Sequence, residues 1–115
     1  MKFKTEKNLR IINELMAFCY HFHSDDISVN IKTINNKSTI KINALIYNFP
    51  KRDYDNLIET LNIPRQHEVE QYYWQLGGES EFDCELSLVG MMVDTAKVKY
   101  DDNILYIELE RIENS

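Results

Sequence analysis

The sequence predicts an α+β fold: a two-layer α/β sandwich of about four strands in two hairpins, with helices packed on one face. Three observations carry this expectation. Apolar residues recur at helical spacing near the start of the chain. Residues 27–46 and 96–109 alternate apolar and polar with period two. The stretch between them returns to helical spacing and is cut by prolines.

The spacing predicts a first helix over 5–23. Leu9, Ile12, Met16 and Cys19 make one stripe, and Ile11, Leu15, Phe18 and Phe22 make a second beside it. Two adjacent stripes give the wide apolar face of a helix lying across a sheet. Ser24-Asp25-Asp26 breaks the pattern. Ile27, Val29 and Ile31 then alternate with Ser28, Asn30 and Lys32, as in a half-buried strand. Asn35-Asn36 tolerates left-handed turn geometry, and Ile40, Ile42, Ala44 and Ile46 resume the alternation, which makes a hairpin. Pro50 is expected to end the second strand.

Tyr54, Leu57, Ile58 and Leu61 mark a short helix stopped by Pro64, because a proline disfavours helix in the residue before it. Val69, Tyr72, Tyr73 and Leu76 repeat the spacing, with Gly77-Gly78 as a C-terminal cap. Leu86–Val93 is apolar almost all round. Its length and the acidic lead-in Glu79, Glu81, Asp83 and Glu85 favour a buried helix, with a strand as the competing reading. Ala96, Val98 and Tyr100, a turn at Asp101-Asp102-Asn103, and Leu105, Ile107 and Leu109 form the second hairpin. No linker or repeat divides the chain, so residues 1–115 are expected to make one domain.

Composition excludes several functions. Hydrophobic residues at 43% and charged residues at 28% are globular proportions, which argues against wholesale disorder. A net charge of −6 opposes nucleic-acid binding, since phosphate neutralisation needs clustered Lys and Arg. Lys2, Lys4, Lys7 and Arg10 read as the wet face of the first helix. No stretch reads as a signal peptide or a membrane span, and a cytoplasmic location is expected, with Cys19 and Cys84 as buried reduced thiols.

Each candidate for chemistry has a plainer reading. His21 and His23, with Asp25 and Asp26, suggest a metal site. However, side chains two apart on a helix point about 200° apart, so a helix-end pair without metal is expected. Cys84 lies between Asp83 and Glu85, and Cys19 lies on the apolar helix face; both settings disfavour a thiolate. The acidic run Glu79 to Glu85 lacks the spacing of a calcium loop. Tyr72 and Tyr73 fall on the core stripe. Trp74 falls off it and is the best single candidate for a protein contact. Gly77-Gly78 is followed by no Lys-Ser/Thr and no third glycine, so it is not a phosphate loop. No catalytic, cofactor or metal residue is expected.

Three stretches carry a resemblance to a known family. They are Glu14-Leu15-Met16-Ala17-Phe18 with the strand Ile27 to Ile31; Ser38 to Ile46 leading into Tyr54 to Leu61; and Gly77-Gly78 through Leu86-Ser87-Leu88-Val89-Gly90, followed by Val98 to Arg111. In order and spacing they resemble the N box, the first glycine box and the second glycine box of the ATP-binding domain of histidine kinases and anti-sigma-factor kinases (the GHKL or Bergerat fold). The resemblance covers nearly the whole chain. Phe18 stands where that family has a magnesium-holding Asn, and Asn43 to Phe49 has neither the adenine-reading Asp nor the glycines. Carboxylates surround Cys84-Glu85-Leu86, where phosphates would be cradled. Only Glu14 keeps a polar family position, and by itself it also reads as a surface helix residue.

The resemblance therefore implies a degenerate member that does not bind ATP. It would be a non-catalytic regulatory or protein-interaction module acting with a protein partner or as a homodimer. A small-ligand-binding domain, with its ligand between helices and sheet, is the alternative, and an enzyme with dispersed catalytic residues is a further one.

Overall fold

The chain is described here from a computed structural model covering residues 3–73 and 86–113. The order is α1 (Lys4–His21), β1 (Ile27–Ile34), β2 (Lys37–Leu45), α2 (Lys51–Leu61), α3 (His67–Tyr73), α4 (Leu86–Met91), β3 (Thr95–Asp101) and β4 (Ile104–Ile112). The four strands form one antiparallel sheet in the order β1-β2-β4-β3. The α+β sandwich expected from the sequence is the observed architecture.

Both hairpins close on two-residue turns whose residues all have positive φ: Asn35 and Asn36 at 49° and 65°, Asp102 and Asn103 at 53° and 64°. That is the type I′ geometry that matches the right-handed twist of the strands. Asn and Asp reach it at little steric cost. The turns fix the register, and the register sorts the side chains. Rows running across the sheet toward the helices read Ile27–Ala44–Leu105–Tyr100, Val29–Ile42–Ile107–Val98, and Ile31–Ile40–Leu109–Ala96. The next row, Thr33–Ser38–Arg111, is polar. The opposite face carries Lys32, Lys41, Asn43, Lys97, Lys99 and Glu108 and faces water.

Ile11, Leu15, Phe18 and Cys19 of α1 form the core with Leu57 and Leu61 of α2, Leu88, Val89, Met92 and Val93 from α4 and beyond, and the three apolar rows. Phe18, Phe22, Phe49 and Tyr100 add a chain of tilted and edge-on ring contacts at 4.9–6.0 Å. The Tyr100 hydroxyl donates to the Ile46 carbonyl at 2.6 Å and accepts the Phe49 N–H at 3.2 Å, which pins the β2–α2 connection to the end of β3.

Several expectations are corrected. Of the two α1 stripes, Ile11, Leu15, Phe18 and Cys19 are buried in the core, and Ile12 and Phe22 pack against it partly buried. Leu9 is 58% exposed, because a cylinder resting on a sheet buries only its lower arc. Lys7 and Arg10 do not lie on a wet face: Lys7 is fully buried and Arg10 largely so. Glu14 is likewise buried, at 1% exposure, with Arg10 Nε 2.7 Å from its Oε2. Val29 and Ile31 are left 38% and 42% exposed, more open than a half-buried strand requires. β2 ends at Leu45, before Pro50, and Pro50 instead sits at the N-cap of α2. One expectation in this region holds: the Leu86–Val93 stretch is helical over Leu86–Met91, and the competing strand is not formed.

Gly90 shows how tightly the helices meet. A Cβ built there would stand 2.3 Å from the Thr60 carbonyl oxygen and 2.8 Å from Ile63 Cγ1. Overpacking of this kind costs about 1–3 kcal/mol and exceeds the gain of about 1 kcal/mol in helix propensity. Gly90→Ala is expected to lower stability by up to about 2 kcal/mol in urea unfolding, and a stabilised variant would show that α2 and α4 can move apart freely.

Candidate functional site

Two places in the fold hold features beyond ordinary packing. The first is the polar end of the two-layer core. There α1 brings Lys7 and Asn8 down on the Thr33–Ser38–Arg111 row, and α3 supplies Glu70. Lys7, Arg111, Glu70 and Glu113 are 0–2% exposed. Lys7 Nζ lies 3.0 Å from Glu70 Oε2, Arg65 Nε 3.1 Å from Glu70 Oε1, and Arg111 Nη2 3.4 Å from Glu70 Oε2. Arg111 Nη2 also reaches Glu113 at 3.0 Å, and its Nη1 donates to the Met92 carbonyl. Asn8 Nδ2 donates to Glu113 at 3.1 Å and to Ser38 at 3.3 Å, while Arg65 Nη1 binds Asp94 at 2.8 Å. Lys7, Arg65 and Arg111 thus face Glu70, Glu113 and Asp94, and the charges balance.

Burial by itself raises the Glu70 carboxyl. The Arg111 charge, the Lys7 hydrogen bond and the Arg65 charge and hydrogen bond outweigh it and hold the group below the usual carboxylate range. Burial acts the same way on Glu113 and is outweighed by bonds to Ser38 and Arg111, the Arg111 charge and the Asn8 amide. Catalytic acids and bases need values poised near neutrality and access to a substrate. These carboxylates are pushed away from neutrality and sealed. The cluster is a tie between elements, and its chemistry is to hold α1, α3 and the end of β4 together.

The second place is the seam between α1 and β1. A groove of about 300 Å³ runs there, open to solvent and lined by Asn8, Leu9, Ile12, Ile31 and Thr33, with Lys4 and Thr5 at its end. It arises because α2 packs on β3 while α1 lies on the β1 side, which it covers incompletely. The exposed side chains of Leu9, Val29 and Ile31, with half-buried Ile12, form one apolar strip beside the edge of the sheet.

The residues singled out from the sequence fall as follows. His21 closes α1 and His23, at φ 65°, occupies the left-handed cap position, with its N–H on Tyr20 O and the Ser24 N–H on Cys19 O. His23 therefore serves the helix end. No group of three or more His, Cys, Asp or Glu able to hold a metal ion exists among the described residues. Cys19 is buried at the helix–sheet interface. Trp74, Leu76, Gly77-Gly78, the acidic run Glu79 to Glu85 and Cys84 lie outside the described residues, as do the side chains of Tyr72 and Tyr73. Sequence reading missed the Lys7–Glu70–Arg111–Glu113 cluster. The signal was present: Arg111 keeps the inward parity of Leu105, Ile107 and Leu109, and Lys7 keeps the helical step of Ile11 and Leu15.

No helix among the described residues is long and apolar enough to cross a membrane. No protein-family model matches the chain, and no curated protein matches it in sequence.

Removing one partner of a buried ion pair strands the others and costs about 3–5 kcal/mol. Glu70→Gln, which leaves Lys7 and Arg111 undercompensated, is expected to lose on that order in urea unfolding. Both glutamates are depressed, so their stabilisation is complete above the unfolded glutamate value of about 4.3 and is lost as pH falls through the folded values. The urea midpoint should therefore drop steeply below about pH 4.5, and less steeply in Glu70→Gln.

Proposed function

We propose that this chain is a non-catalytic regulatory or protein-interaction module built on a degenerate kinase-like ATPase fold that has lost nucleotide binding. The apolar strip of Leu9, Ile12, Val29 and Ile31 carries the reading, since Leu9, Val29 and Ile31 are left exposed beside a sheet edge and Ile12 is only partly buried. Contiguous apolar surface of this kind marks contact sites. Two further features support it. The interior carboxylates are committed to fixed cations, and Phe18, which the sequence resemblance aligns with a magnesium-holding Asn, is an apolar core residue. Trp74 is a second candidate contact from its place in the sequence.

Nucleotide binding to the folded state alone would raise its stability by about 2.7 kcal/mol at a hundredfold excess over Kd. Thermal unfolding with millimolar magnesium–ATP or ADP is expected to show no upward shift, and a saturable rise would reverse the assignment. The strip is expected to contribute little to folding. Ile31→Lys should change stability by no more than about 0.5 kcal/mol; a loss of several times that would make Ile31 a core residue and remove the basis of the reading.

A further inference from the structure

The two edges of the sheet are not equivalent. At the β3 edge the Tyr54 hydroxyl donates to the outward carbonyl of Val98 at 3.2 Å, and α2 packs alongside. At the β1 edge no side chain among the described residues is bonded to an outward backbone group. β1 has no proline, no glycine and no bulge, and pairs with β2 without interruption from Ile27 to Ile34. Natural sheets blunt such edges because an open ladder is a template for another strand.

The Leu45 N–H donates to the Asp26 carbonyl at 3.0 Å, and the two-residue turn makes Ile34–Lys37 the closing pair. Even-numbered residues of β1 therefore point their backbone groups at β2, and Ile27, Val29, Ile31 and Thr33 point theirs outward. These are the same residues whose side chains face the helix layer. An antiparallel strand added to this edge must meet outward groups with outward groups. If that strand is another β1, both helix layers come to the same side and the two apolar strips meet across the seam.

We propose that β1 pairs antiparallel with β1 of a second copy about a two-fold axis at Asn30, joining two sheets into one of eight strands. This rests on the interaction-module reading and names its partner. The register pairs Ile27 with Thr33 and Val29 with Ile31 across the seam, so every outward group between Ile27 and Thr33 is used. Charge fits the same register. β1 contains no carboxylate, although the chain carries a net charge of −6. Asp26 falls diagonal to Lys32 of the other copy, on the same water-facing side, and the symmetry repeats the pair. Diagonal cross-strand neighbours lie about 7–8 Å apart. The two Lys32 side chains are four positions out of step, about 14 Å at strand rise, beyond the screening length of about 8 Å.

Eight residues at about 3.4 Å give an edge about 27 Å long. Taken with the 22 Å shortest extent of the molecule, the strip amounts to about 600 Å² per copy. That lies at the lower bound of specific interfaces, so the dimer is concentration-dependent.

Sedimentation of the full chain from micromolar to millimolar tests this. The mass is expected to rise from monomer toward dimer. Val29→Pro, which removes only an outward N–H, should stay monomeric with unchanged circular dichroism, and Ile31→Lys gives a second disruption if proline unfolds the strand. At a non-hydrogen-bonded pair the Cα atoms are about 4.5 Å apart, within disulfide range. Mild oxidation should therefore crosslink Asn30→Cys roughly tenfold more than Ser28→Cys, Lys32→Cys or the unsubstituted chain. A monomer at every concentration overturns the proposal. So does a dimer that survives both disruptive variants and is not trapped at position 30; that dimer uses another face and leaves the module reading standing. A monomer that also gains stability from magnesium–ATP removes both.

Discussion

One carboxylate, Glu70, fixes how the two layers close at their polar end. It accepts from Lys7 on the first helix, from Arg65 on the loop before α3 and from Arg111 on the last strand. Lys7 and Arg111 come from opposite ends of the chain and Arg65 from its middle. Glu70, with Glu113 and Asp94, neutralises the three cations in a setting where an isolated charge costs several kcal/mol. The cluster ties α1, the start of α3 and the end of β4 through directional bonds at named atoms, which an apolar row would not supply.

That placement has a consequence on the other side of α1. The three apolar rows of the sheet run through all four strands, yet the helices are held over β2, β4 and β3 by the close contact at Gly90 and the aromatic chain at Phe49 and Tyr100. Among the described residues, the β1 ends of those rows are covered by the flank of α1 alone. Val29 and Ile31 are therefore inward-facing by parity and exposed by position. The groove, the apolar strip and the open ladder at β1 are one feature with one cause.

Much of this was legible beforehand. The period-two alternation fixed which residues of β2 and β4 face the helices, because a strand has only two faces. Asn35-Asn36 and Asp102-Asn103 announced turns that need positive φ. Lys7 and Arg111 are both in step with apolar neighbours, yet Lys7 was read as a surface residue and Arg111 was given no inward role, because a charge at a core position is only tolerable with a partner. That partner, Glu70, is 63 residues from Lys7 and 41 from Arg111 in sequence. Leu9 failed in the opposite sense: periodicity marks an apolar stripe without saying how wide a surface lies beneath it.

The sequence by itself determined the elements, their order and the inward faces, since these follow from local spacing and turn chemistry. Tertiary structure alone decided which strand became the uncovered edge, which charges met in the interior and which apolar residues stayed in water. Those outcomes depend on strand order and on where α1 comes to rest. Both are set by contacts between residues far apart in the chain, and no local pattern encodes such distances.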